Sequence, residues 1–76
     1  MPHRYHINLF WSDEAGCWIA DVPDLTWRSA HGPTPEAALA EVETAIAAWL
    51  AVQAEAGHPA PEPRYRPAIY AARSAA

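Results

Sequence analysis

The side chains best suited to chemistry in this chain are carboxylates, because acids that converge can hold divalent cations for phosphodiester cleavage. Asp21 ends a strand-like segment and Asp24 lies in the turn that follows it. Three more acids, Glu36, Glu41 and Glu43, lie in a helical pattern. Helical geometry turns Glu41 well away from the other two, so the three cannot converge on one ion. We therefore expect solvated acids rather than a catalytic centre.

The other candidates for chemistry are isolated from one another. His3 and His6 are three positions apart in an extended segment and point to opposite faces of a strand, whereas structural zinc needs about four ligands. Cys17 is the only cysteine and has no basic neighbour in the sequence. Ser29 lacks a Gly-x-Ser-x-Gly context, and the scattered glycines form no phosphate-binding loop. The sequence predicts no enzyme, no metal site and no cofactor.

Composition favours a small acidic protein that binds other proteins. The 76 residues allow one domain, and a chain this short buries only about 60% of its unfolded surface, so oligomers are a common source of extra stability. Nine acidic against five basic residues give a net charge of -4. Nucleic-acid binding relies on Lys and Arg, so we expect a basic protein partner and no direct nucleic-acid contact. Among four tryptophans, at least one should lie at an interface.

The expected location is the cytoplasm. The first six residues lack the apolar run of a signal peptide. No run approaches the roughly 20 apolar residues of a membrane-spanning helix. A single cysteine is typical of a reducing compartment. We therefore expect no membrane association.

Alternating side chains predict an antiparallel meander. Residues 4–11 place alternate apolar side chains on one face, and Phe10 interrupts the polar face, which suggests an interface or a sheet margin. The connection 12–16 ends in Gly16 and suits a hairpin, and residues 17–22 form the returning strand, which Pro23 ends. The next segments indicate a turn at 23–25, a short third strand at 25–30 and a chain break at 31–33.

A long helix follows. Thr34 fits its N-cap, Pro35 its first position and Glu36 the positive end of its dipole. Apolar side chains then recur at spacings of three and four, and we expect them to face the core: Leu39, Val42, Ile46, Trp49 and Leu50. Gly57 is well placed as the C-terminal cap.

The C-terminal part combines stiff and strand-like features. Three prolines in residues 57–63 indicate an extended segment, and residues 64–70 indicate an edge strand or a docked arm. We expect one domain over residues 1–70, a frayed tail at 71–76 and no C-terminal DNA-binding domain. The predicted fold class is α+β, with a three-stranded antiparallel meander packed on one long helix and a C-terminal edge strand, in the order β-β-β-α-β.

Three ordered motifs resemble the HicB-like antitoxin family. Residues 13–25 read DEAGCWIADVPDL, which resembles that family's opening hairpin with its acidic Gly turn and Val-Pro-Asp-Leu ending. Residues 32–39 read GPTPEAAL and resemble its Gly-Asp-Thr-x-Glu-Glu-Ala-Leu helix start, while residues 57–63 read GHPAPEP and resemble its post-helix segment. The matched positions with a structural role in these motifs are Gly16, Pro23, Asp24, Leu25, Gly32, Thr34 and Glu36.

The chain also departs from the family pattern. Thr26 and Trp27 follow Leu25, where the family often has Leu-Pro-Gly, and Pro33 and Ala37 replace two acidic positions at the helix start. Many family members carry a C-terminal DNA-binding domain, whereas this sequence offers no segment long enough for one after Pro63.

The resemblance implies a truncated ribonuclease-H-like fold without nuclease activity and a protein partner. That partner would be a HicA-like toxin, a small basic protein that cleaves messenger RNA and is neutralised when its active surface is covered. Candidate residues for this contact are Asp24, Trp27, Arg28 and Glu41. The alternative is a solitary HicB-like domain that self-associates as a dimer or higher oligomer through its edge strand.

Overall fold

A computed structural model of the chain describes residues 3–25, 29–67 and 69–70. Its elements follow one another as β1 (Asn8–Ser12), β2 (Cys17–Asp21), β3 (Ser29–Gly32) and α1 (Pro35–Glu55). The strands form one antiparallel sheet in the order β1-β2-β3, and α1 packs across one face, mainly against β3 and β2. This arrangement confirms the predicted α+β architecture of a meander and one long helix. The expected tail at 71–76 lies outside the described residues.

The first hairpin forms as predicted, although β1 is shorter than expected. Gly16 closes the turn with a φ of 66° and donates its backbone N–H to the Ser12 carbonyl at 2.8 Å. The ladder pairs Asn8 with Asp21. The same register would place His6 opposite Pro23, which has no N–H to donate, so residues 4–7 do not continue the strand.

The turn after β2 is confirmed, but the third strand is displaced. Leu25 donates its backbone N–H to the Val22 carbonyl at 3.1 Å, and its side chain is buried. β3 occupies Ser29–Gly32 rather than 25–30, so His31 and Gly32 lie in the strand and do not break it. Residues 26–28, which fell inside the expected strand, lie outside the described residues.

Both ends of α1 carry the predicted caps. The Thr34 hydroxyl accepts the backbone N–H of Ala37 at 3.0 Å, and Pro35 occupies the first turn. At the other end Gly57 has a φ of 78° and donates to Ala54, while His58 donates to the Gln53 carbonyl at 2.9 Å. These two bonds form a Schellman motif, which satisfies the last carbonyls of the helix.

The core lies between α1 and the helix-facing side of the sheet. Val22, Val42 and Ile46 are its largest fully buried side chains. Full burial of an aliphatic side chain of this size stabilises the fold by about 1.5–3 kcal/mol. Trp18, Trp49 and Leu50 are partly buried around this cluster, which also contains four further buried residues, Tyr5, Ala20, Leu25 and Ala38.

The expectation that Leu39 faces the core was wrong. Leu39 is 38% exposed, and its neighbour Ala38 is fully buried instead. The reason is the close approach of the helix to β3, where a methyl group on Gly32 would lie 2.8 Å from the Ala38 backbone nitrogen. Only a small side chain fits between helix and sheet at this point, so α1 is rotated to place Ala38 there.

The predicted C-terminal edge strand is not formed by residues 64–67 or 69–70. Residues 58–67 run without regular structure, residues 69–70 are helical, and Tyr70 donates its backbone N–H to the Pro67 carbonyl at 3.0 Å. Pro67 cannot donate a ladder hydrogen bond, which disfavours strand pairing here. The segment instead forms a docked arm, the other arrangement expected from the sequence.

Helix α1 meets the length and hydropathy criteria for a membrane span, contrary to the expectation from the sequence. Its apolar window has a mean hydropathy of 1.3, and 17% of that window is buried. The match rests on length and composition alone. Alanine supplies much of this apolarity, because eight of the 21 helical residues are alanine. One such helix is weak support for membrane association.

Candidate protein-interaction surface

The most exposed part of the sheet is a run of three large apolar residues in β1. Leu9, Phe10 and Trp11 are 39%, 46% and 49% exposed. They are consecutive, so they project from both faces of the sheet along its β1 margin. We call these three residues the β1 surface.

The position of α1 explains why the β1 surface stays open. Leu9 pairs with Ala20 and Trp11 pairs with Trp18, so both lie on the helix-facing side. The helix packs mainly against β3 and β2, and it covers this side of β1 only sparsely. On the opposite side Phe10 pairs with Ile19, which in turn pairs with His31, and no element of the described residues crosses that row.

Trp11 is held in place despite its exposure. Its ring packs edge-on against Trp18, with centroids 5.9 Å apart and an interplanar angle of 74°. Its indole Nε1–H donates to Asp13 Oδ1 at 2.9 Å. A large aromatic side chain that is already oriented loses little conformational freedom on binding, which is typical of interface anchors.

Phe10 was identified from the sequence as an interface candidate, whereas Leu9 and Trp11 belong to the alternate apolar face of the predicted strand. The signal for all three was the apolar run itself. Period two cannot bury three consecutive large side chains on one face of a strand, so at least one had to point away from a single core.

Asp24, a predicted contact residue, is engaged within the chain. Its carboxylate accepts the backbone N–H of Arg64 at 3.1 Å and that of Tyr65 at 3.1 Å. Asp24 therefore anchors the C-terminal arm to the turn after β2. Its side chain is partly buried by this contact.

The other predicted contact residues are dispersed or outside the described part of the chain. Glu41 is exposed on α1 and lines an open groove of 540 Å³ between the helix and β3, together with Ala30 and Pro33. The structure does not place Glu41 in contact with Asp24. Trp27 and Arg28 lie outside the described residues.

The described part of the chain contains no group of three or more His, Cys, Asp or Glu side chains close enough to hold a metal ion. Glu43 instead accepts a hydrogen bond from His3 Nε2 at 3.0 Å, and the Tyr5 backbone N–H donates to His3 Nδ1. Cys17 is a partly buried free thiol. The β1 surface is thus the feature most suited to binding, and it is suited to binding a polypeptide.

No protein-family model, curated protein or solved structure matches this chain significantly. The resemblance to HicB-like antitoxins rests on the three sequence motifs alone.

Proposed function

We propose that this protein is an antitoxin-type binding module that neutralises a HicA-like messenger-RNA-cleaving toxin by covering its active surface. The observation that carries the proposal is the β1 surface, where Leu9, Phe10 and Trp11 stay 39–49% exposed on a strand at the margin of the sheet. Apolar and aromatic side chains in such a setting mark protein-binding sites. The ordered HicB-like motifs supply the identity of the partner class.

Charge adds a second, weaker support. The chain carries a formal net charge of -4, and a protein that binds RNA is expected to be basic. Opposite net charges accelerate the encounter of the two proteins and favour a basic partner over acidic proteins. The apolar β1 surface would then supply the contact that slows dissociation.

The decisive experiment uses any small basic protein that is encoded beside this chain as the candidate partner. The two proteins are co-expressed, purified through a tag on one of them, and tested for cleavage of a messenger RNA. The proposal expects a stable complex and loss of cleavage when this chain is present. A neighbour that neither binds the chain nor cleaves RNA would contradict it.

A pair of surface variants locates the contact. Phe10→Ser removes the centre of the β1 surface, and a lost aromatic anchor costs about 2 kcal/mol, which corresponds to about a thirtyfold weaker Kd. Val52→Ser removes an apolar side chain that is 61% exposed on α1, away from β1. This control should change Kd less than about twofold. Equal losses for the two variants would exclude the β1 surface as the contact.

The second candidate function is self-association as a solitary HicB-like domain. Within the described residues, the outer side of β1 carries backbone groups without a ladder partner, and a second copy can pair with such a margin across a two-fold axis. Sedimentation of the purified chain separates the two functions. A dimer that does not bind the basic neighbour supports self-association, and a monomer that binds the neighbour supports the antitoxin function.

A further inference from the structure

A second groove, distinct from the β1 surface, lies between the N-terminal segment and the C-terminal arm. It has a volume of 280 Å³. Three of the five basic residues of this acidic chain line it, namely Arg4, Arg64 and Arg66. We call it the arginine groove. An overall charge of -4 conceals this cluster, because net charge averages over the whole surface.

The guanidinium groups of the arginine groove have no carboxylate partner among the described residues. All three arginines are exposed, and none forms an ion pair with a carboxylate in the described part of the chain. Asp24 lies close by, but its oxygens accept the backbone N–H groups of Arg64 and Tyr65. Arginine presents a planar fork of donors that matches a phosphate oxygen pair. Three arginines around one groove, without a carboxylate partner in the described part of the chain, therefore favour an anionic ligand.

The groove also exposes flat aromatic surface beside the positive charge. The Arg66 guanidinium stacks over the Tyr70 ring with its carbon 4.5 Å from the centroid. The rings of His6 and Tyr65 meet with centroids 4.5 Å apart. Tyr65 and Tyr70 remain 43% and 44% exposed. Positive charge interleaved with exposed rings is the pattern that binds single-stranded nucleic acids, where bases stack and phosphates pair with cations.

The walls of the groove are held by specific contacts. Asp24 fixes the backbone of the arm at Arg64 and Tyr65. Slightly earlier in the sequence of the arm, the Pro61 carbonyl accepts a hydrogen bond from the Tyr5 hydroxyl. On the other wall His6 Nε2 is 2.7 Å from Asn8 Oδ1. A site that is already formed loses less conformational entropy when a ligand binds.

We propose that the arginine groove binds single-stranded nucleic acid, with Arg4, Arg64 and Arg66 on the phosphates and a base against Tyr65 or Tyr70. An acidic peptide would use the cations but leave the exposed rings without a partner, which is why nucleic acid is the better match. This site is separate from the β1 surface, so it does not depend on the proposed antitoxin function.

The test measures fluorescence anisotropy of the full chain with a short labelled oligouridylate at low salt. An oligoglutamate peptide of equal charge and an oligothymidylate serve as comparison ligands. We expect the oligouridylate to bind at least about tenfold more tightly than the peptide, because stacking contributes about 1–3 kcal/mol per base. Engagement of three arginines predicts that log K falls with log salt with a slope of about -2. Tighter binding of oligouridylate than of oligothymidylate assigns the site to RNA. Equal binding of the two means that the site accepts single-stranded RNA and single-stranded DNA alike.

Matched variants distinguish binding at the arginine groove from nonspecific electrostatic attraction to the whole protein. Arg66→Gln removes one positive charge and the stack on Tyr70, and it should weaken binding by about threefold to tenfold. Ala48→Glu changes the net charge by the same amount on an exposed position of α1 and should change binding less than twofold. Tyr70→Leu should weaken oligouridylate binding without altering the salt slope. No oligouridylate binding, equal peptide binding, or equal losses in Arg66→Gln and Ala48→Glu would each overturn the proposal.

Discussion

The Asp24 carboxylate accepts the backbone N–H of Tyr65 across 41 positions of sequence, with 3.1 Å between nitrogen and each oxygen. A second bond from the Arg64 N–H completes the clamp. These bonds tie the irregular arm that follows α1 to the turn that follows β2. The Tyr5 hydroxyl at Pro61 and the contact of the Tyr65 ring with His6 also join the arm to the N-terminal segment, while residues 64–66 remain exposed.

Asp24→Ala should release the arm while leaving the sheet and helix folded. Loss of the clamp removes the acceptors of two backbone donors, and we expect faster hydrogen exchange at the amides of Arg64 and Tyr65. The global free energy of unfolding should fall by about 1 kcal/mol. Limited trypsin digestion gives a second measurement, because the released peptide bond after Arg64 should be cut sooner.

Asp21→Asn is the matched control for this experiment. Asp21 is a partly buried acid at the end of β2, only three positions away, and among the described residues no hydrogen bond joins its side chain to the arm. Its substitution should leave exchange at Arg64 and Tyr65 unchanged. If Asp24→Ala leaves exchange and cleavage unchanged as well, the clamp does not hold the arm in solution.

Gly32→Ala should destabilise the junction of helix and sheet. A methyl group at this position would lie 2.8 Å from the Ala38 nitrogen and 2.9 Å from the Ala37 Cβ, so the helix start must move. Overpacking of this kind costs about 1–3 kcal/mol. Urea unfolding should show a lower midpoint with an unchanged m-value.

His31→Ala in the adjacent position of β3 serves as the control. The His31 side chain points to the sheet face that α1 does not cover and is exposed. Its removal should change the free energy of unfolding by no more than about 0.5 kcal/mol. Equal midpoints for Gly32→Ala and the wild type would show that the helix can shift at no cost.

Local features of the fold were predictable from the sequence, because each depends on neighbouring residues. The Thr34 cap, the Gly16 turn and the Gly57 Schellman motif require only particular side chains at particular offsets. Burial of Val42 and Ile46 followed from helical periodicity. The three-stranded order followed from alternation and the spacing of turns.

The errors arose where contacts distant in sequence decide the outcome. Leu39 fits the apolar stripe as well as Ala38 does, and only the proximity of Gly32 selects the smaller residue. The start of β1 depends on Pro23, which follows the opposing strand β2. The Asp24 clamp joins residues about 40 positions apart, and the arginine groove joins residues about 60 positions apart. Helix and strand periodicity relate only residues a few positions apart, so they cannot predict such contacts.

Removal of the N-cap of α1 provides a prediction about helix stability. The Thr34 hydroxyl accepts the Ala37 N–H at 3.0 Å and satisfies one of the four free donors at the helix start. Thr34→Ala should lower the free energy of unfolding by about 1 kcal/mol, measured by thermal or urea denaturation. Thr34→Ser keeps the acceptor and should lose less than half as much. A loss as large in the serine variant would assign the effect to the methyl group instead of the cap.

The last prediction concerns alkaline stability and Tyr5. Burial of the ring raises the pKa of the Tyr5 hydroxyl, and the negative charge of Asp24 raises it further. The unfolded chain therefore releases this proton at lower pH than the folded chain, with an unfolded pKa of about 10. Stability from the protonated hydroxyl is complete below about pH 10 and is lost as pH rises through the folded pKa.

Tyr5→Phe isolates this contribution, because it keeps the ring and removes both the titration and the hydrogen bond to Pro61. At neutral pH the variant should be less stable by about 0.5–1.5 kcal/mol. The difference from wild type should then shrink above about pH 10, since only the wild type loses stability by ionising this hydroxyl. Parallel wild-type and Tyr5→Phe curves across that range would mean that Tyr5 ionises equally easily in both states, contrary to its burial beside Asp24.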